Sequence, residues 1–177
     1  MKGVVARVLS FIMQLVLSGF VFVAIHEEYH FLVASWLHVP GYVTFAFPLG
    51  GTFWFSNLSA VTLNQNVLIS MAGGFGTGVC AGILWLTSDM QDSTHWAAIF
   101  CVVTVTQLLY GASELLAVWL PHATEWGQVA AAIVGYGTAI LIYGDRVLDW
   151  WIGETRAQTN EHRLSKLDKS STEPVLY

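Results

Sequence analysis

Hydrophobic and polar positions in this chain segregate into long apolar runs separated by short polar or aromatic stretches. Val8 to Ile25 is apolar, and its helical pattern continues through His26 to Leu37 with no small-residue cleavage site that would make it a removable leader. Asn66 to Thr87, His95 to Leu120, and Trp126 to Tyr143 with an extension toward Trp151 are three further runs. Each is near the ~20 residues that a ~30 Å hydrocarbon core demands of a helix. The pattern predicts an all-α polytopic membrane protein with four transmembrane helices.

The connection from Val39 to Gln65 is too long for a plain turn and too aromatic for a solvated linker. Tyr42 to Phe47 and Thr52 to Phe55 are rich in β-formers, and Pro48-Leu49-Gly50-Gly51 between them supplies turn chemistry. A small interfacial β-hairpin between helices one and two is expected. An open edge is not tolerated in lipid, so it must lie against protein or line a wet cavity. Gly74, Gly78 and Gly82 recur every four residues in the second run and predict a close helix-packing seam. From Glu154 to Tyr177 the chain turns polar and mixed in charge. The expected organisation is a transmembrane domain over 1–153 and a flexible polar cytoplasmic tail over 154–177.

Composition agrees with the pattern: 55% of residues are hydrophobic and only 11% charged, where soluble domains carry about 25%. Charge adds orientation. All seven basic residues lie at the two ends, as Lys2, Arg7, Arg146, Arg156, Arg163, Lys166 and Lys169. A basic groove for nucleic acid is thereby excluded, and the positive-inside rule places both termini in the cytoplasm, which requires an even number of spans. Tryptophans 36, 85, 96, 119, 126, 150 and 151 fall at or near the span ends, as amphipathic rings do at headgroup level. Cys80 and Cys101 lie in apolar runs and are expected to pack as small hydrophobes without a disulfide.

The chemistry is concentrated at the end of the first run, in His26-Glu27-Glu28-Tyr29-His30, an H-E-x-x-H sequence. On a helix His26 and His30 share a face and can bind one Zn2+, while Glu27, about 100° around, can reach an attacking water as general base. Ionisable groups in an apolar segment cost about 2.5–3.5 kcal/mol each on insertion scales, so this cluster marks function or buried partners. Glu28 points elsewhere on the helix. A third ligand is needed. Asp89, Asp92 and His95 lie in the loop on the opposite membrane face, whereas Glu114, His122 and Glu125 lie at the level to which helix one delivers the histidines. Depth favours the second group.

These residues resemble the site-2 protease family of intramembrane zinc metalloproteases. In that family an H-E-x-x-H helix is followed by an interfacial β segment, a helix opening near Ala-Gly-Pro, and a later Leu-Asp-Gly that supplies an aspartate ligand. Here Gly41 to Phe55 matches the β segment, Asn66 to Gly74 resembles the helix opening, and Leu120-Pro121-His122-Ala123-Thr124-Glu125-Trp126-Gly127 resembles the final motif. The likeness covers residues 10 to 140, and H-E-x-x-H is its specific part. It implies zinc on His26, His30 and Glu125, catalysis by Glu27, and hydrolysis of a peptide bond in or near a transmembrane segment of a membrane protein. Glu114 either hydrogen-bonds a metal-bound histidine or bonds Tyr110 alone, His122 is a loop residue or else a ligand or electrophile beside the zinc, and the hairpin either offers substrate an edge, with Phe45, Phe47 and Phe53 in contact, or is a structural plug.

Three departures accompany the likeness. A glutamate stands where the family has aspartate, Ser113-Glu114 stands where an asparagine is expected, and the charge count puts the site toward the non-cytoplasmic face, whereas many family members open to the cytosol. The implied partners are the bilayer and a transmembrane substrate, within a membrane complex or homo-oligomer or alone. A different class of function also fits the residues: a non-catalytic subunit of a membrane complex whose His-Glu cluster binds a structural metal. A haem-binding bundle is weaker, because His26 and His30 share one face and cannot ligate opposite faces of one porphyrin.

Overall fold

A computed structural model describes residues 2–46, 50–120 and 122–171, with side chains described over 5–6, 9–46, 50–120 and 122–149. The elements are α1 (Lys2–Trp36), β1 (Gly41–Ala46), β2 (Gly50–Phe55), a single 3-10 turn (Leu58–Ala60), α2 (Leu63–Met90), α3 (Thr94–Ala117) and α4 (Ala123–Ser171). Among the described residues four helices are long and apolar enough to cross a membrane, over Leu9–Trp36, Leu63–Met90, Thr94–Ala117 and Ala123–Asp149. The chain is a multi-pass membrane protein.

Sequence chemistry accounts for where the helices stop. Thr62 caps α2 through a reciprocal pair, its Oγ1 accepting from the Gln65 amide at 3.3 Å while Gln65 Oε1 accepts from the Thr62 amide at 3.0 Å. Behind α1, α2 and α3 respectively stand His38, Asp92 and His122, each with positive φ (56°, 53° and 71°), the left-handed turn that ends helices. α4 does not stop at the membrane. Its backbone remains helical through the polar segment to Ser171, because Glu154 to Lys169 is rich in helix formers and contains no proline or glycine. At 49 residues α4 is about 74 Å long, well beyond the hydrocarbon thickness.

The bundle is assembled on small residues. A Cβ on Gly74 would overlap the Gly111 backbone of α3, and one on Gly78 would overlap Leu108, so α2 and α3 approach backbone to backbone. Gly82 ends the seam against Thr104. Gly127 and Gly135 play the same part for α4, against Ser113 and Thr106 of α3. Ala97, Ala98 and Cys101 of α3 pack with Ala139 and Tyr143 of α4. At that end Trp85 Nε1 donates to Tyr143 Oη (2.6 Å), which donates to Asp89 Oδ1 (3.0 Å), tying α2 to α4. Apolar side chains such as Leu9, Met13, Ile133, Ile140 and Leu141 face outward, as lipid contact requires.

β1 and β2 form the expected antiparallel hairpin, with Val43 opposite Phe53 and Ala46 opposite Gly50. It lies against α1 rather than alone in lipid. Alternation along β2 turns Gly51, Phe53 and Phe55 inward, and the two phenyl rings pack on a cluster of Ala34, Val39 and Ile69. Pro48 and Leu49, assigned to its turn by sequence, lie outside the described residues.

Crossing by all four helices would return the chain to the membrane face from which it started. Reporter fusions should therefore place residues 2 and 170 on one side and residue 50 on the other. Termini on opposite sides would exclude the four-span arrangement.

Candidate metal centre

Helix geometry alone brings His26 and His30 together: their Nε2 atoms are 3.0 Å apart and both side chains are buried. Glu114 of α3 completes the group, its Oε1 lying 3.1 Å from His26 Nε2 and 3.4 Å from His30 Nε2. Among the described residues these three form the one set whose potential ligand atoms all fall within 4.8 Å.

The outer ring nitrogens are committed elsewhere. His30 Nδ1 donates to the Ile69 carbonyl at 2.6 Å, and His26 Nδ1 donates to Gln107 Oε1 at 2.8 Å. A carbonyl can only accept, so in the neutral imidazole of His30 the proton is on Nδ1 and a lone pair is on Nε2. With Gln107 acting likewise on His26, two lone pairs and a carboxylate oxygen face one another. A shared proton or a bound cation would relieve this opposition, and two imidazoles with one carboxylate are a donor set of the kind that binds zinc.

Two further observations fit a metal ion. Glu114 Oε2 and Glu27 Oε2 are buried and have no hydrogen-bond partner, a costly state for carboxylates unless a cation or bound water satisfies them. Gly73 of α2 backs the histidines so closely that a Cβ there would collide with Nε2 of both. The glycine keeps the space between α1 and α2 open at the ligand atoms.

Glu27 lies beside the cluster on α1, 6% exposed. The Phe53 amide donates to its carboxylate, and Gly51 is packed so tightly on its Cγ that any side chain at that position would displace it. β2 thus turns an open edge toward Glu27. Two cavities meet here. One, of about 250 Å³, is bordered by Glu27, His30, Phe53, Ser70, Tyr110 and Glu114 among others. The other, of about 160 Å³, is bordered by His26, Glu27, Gln107, Tyr110 and Gln128 among others. Glu28, by contrast, is exposed.

The other residues proposed from sequence are distributed differently. Glu125, implied as a ligand by the resemblance, is not brought to the histidines: it is exposed in the first turn of α4 and bonds His122 Nδ1 at 2.9 Å. That carboxylate lifts the His122 imidazole above its ordinary value. Glu114 stands one turn before the end of α3, and its Oε1 is the carboxylate oxygen brought close to both histidines. Phe53 borders the larger cavity, its ring 6.2 Å from that of His30. Phe45 is 64% exposed and borders neither cavity, and Phe47 lies outside the described residues. From sequence Gly51 is a turn residue and Tyr110 an alternative partner of Glu114, and neither Gln107 nor Gly73 is named.

No protein-family model, curated protein or solved structure matches the chain.

Gln107→Leu removes the acceptor that orients His26. We expect the zinc affinity of the purified protein to fall ~10–100-fold with the fold intact, as seen when outer partners of metal-bound histidines are lost. Unchanged affinity in a competition titration would show that His26 needs no such partner.

Proposed function

We propose that this chain is an intramembrane zinc metallopeptidase that hydrolyses a peptide bond in or near a transmembrane segment of a membrane protein, with His26, His30 and Glu114 as the protein ligands. The observation that carries the proposal is the convergence of these three side chains beside a buried, unsaturated Glu27 carboxylate, at the junction of two cavities. A purely structural ion would have no use for Glu27 or for the open space. The resemblance of the H-E-x-x-H helix and following β segment to site-2 proteases supports the same reading.

Zinc bound there would lower the pKa of water toward ~7 and polarise the scissile carbonyl. The chain's own groups do the rest. Glu27 accepts the proton of the water as its oxygen attacks the carbonyl carbon, then delivers that proton to the leaving nitrogen as the C–N bond breaks. Gln107 and the Ile69 carbonyl hold the imidazoles in the required tautomer. A helical substrate has its amides paired and must be locally extended before attack; the open edge of β2 can take that extended strand, with Phe53 against its side chains. The positive-inside rule places both termini in the cytoplasm and the catalytic group in the opposite half of the bilayer.

The test is cleavage of a model transmembrane substrate by the purified protein in lipid. Chelation should abolish cleavage and zinc should restore it. Cleavage that persists after the metal is gone would contradict the proposal.

A further inference from the structure

We propose that Tyr110 is a catalytic residue, donating a hydrogen bond from its hydroxyl to the scissile carbonyl oxygen as negative charge develops on it. The inference rests on the peptidase reading above and adds a hydrogen-bond donor from the chain itself to the polarisation that zinc would supply.

Tyr110 stands on α3 three residues after Gln107 and four before Glu114, so the three share one helical face turned to the histidines. Its ring centroid is 5.5 Å from that of His26. The two cavities have three bordering residues in common, Glu27, Gly51 and Tyr110. They come from three elements, α1, β2 and α3, and stand where the two cavities adjoin. Glu27 supplies the base and Gly51 the open strand edge. Tyr110 supplies a proton donor, and it borders the larger cavity together with Glu27 and Glu114.

Chemistry favours this residue over its neighbours. Addition of water to a peptide carbonyl moves an electron pair onto oxygen, and a fixed donor aimed at that oxygen stabilises the transition state more than the ground state. Gln107 is committed to His26. Thr52, Ser70 and Thr124 border only the larger cavity, and Thr106 and Gln128 only the smaller. Among the described residues none hydrogen-bonds the Tyr110 hydroxyl, so it is free to serve a ligand. With an ordinary pKa of about 10, a phenol keeps its proton at neutral pH and donates without losing it.

The alternative role, packing against His26, is separated by Tyr110→Phe, which keeps the ring and removes only the hydroxyl. The experiment uses the full chain in lipid and measures three quantities: zinc content, kcat and KM on a model transmembrane substrate, and affinity for a phosphinic peptide whose tetrahedral oxygens mimic the oxyanion. We expect unchanged zinc content, kcat lower by about a hundredfold with KM little changed, and a parallel loss of phosphinate affinity. Wild-type kcat and phosphinate affinity in the Tyr110→Phe protein would overturn the assignment while leaving the peptidase reading intact. Loss of zinc would overturn it in favour of packing. Failure of the wild-type protein to cleave would overturn both.

Discussion

Glu27→Gln is expected to retain about one zinc per chain and an unchanged fold while losing cleavage by a factor of about 10²–10⁴, the usual contribution of a general base. The side chain is buried, and one of its oxygens has no partner. A neutral amide of the same shape removes a desolvated charge, so stability should hold or rise. The Phe53 amide can still donate to the glutamine carbonyl oxygen, which keeps β2 in place. What disappears is the capacity to take a proton. Parallel zinc analysis and substrate cleavage on one preparation check this. Cleavage at the wild-type rate would remove Glu27 from the mechanism, and loss of zinc would make it a metal ligand instead.

The second large effect is expected at the third ligand. Glu114→Ala should lose zinc, and activity with it, because two imidazoles at i and i+4 do not by themselves complete a tetrahedral site. The fall in affinity should exceed the 10–100-fold typical of an orienting partner. Glu125→Ala should keep the metal, since that carboxylate is exposed and bonded to His122. Zinc titration of both variants decides between the two glutamates. Should Glu125→Ala lose the ion while Glu114→Ala retains it, the site must rearrange when loaded, and the ligand set proposed here is wrong.

The bundle and the hairpin were legible in the chain because a bilayer imposes a length on each apolar run and because alternation with turn residues marks Tyr42 to Phe55. The H-E-x-x-H pair was legible for a similar reason: its geometry is set by one helix. Glu114 was harder to find, since it reaches the histidines only through packing of α3 beside α1 and α2. Depth in the membrane narrowed the choice to Glu114, His122 and Glu125, and a loose motif then pointed to Glu125. A better signal was present: Gln107, Tyr110 and Glu114, at i, i+3 and i+7, form a polar stripe on one face of an apolar helix, an arrangement that lipid would penalise without buried partners. Gly73 and Gly51 could not be distinguished from seam and turn glycines, because their role depends on what a Cβ would strike. The helical backbone over 154–171 has no apolar periodicity to mark it and rests on local helix propensity.

Binding of one zinc ion by His26, His30 and Glu114 has a signature in X-ray absorption at the zinc edge of the purified full chain. The expected spectrum is that of a single zinc per chain in an all nitrogen and oxygen shell, with two imidazoles at about 2.0–2.1 Å and carboxylate or water oxygen completing four-coordination. Absence of stoichiometric zinc, or a shell containing sulfur or a third imidazole, would contradict it.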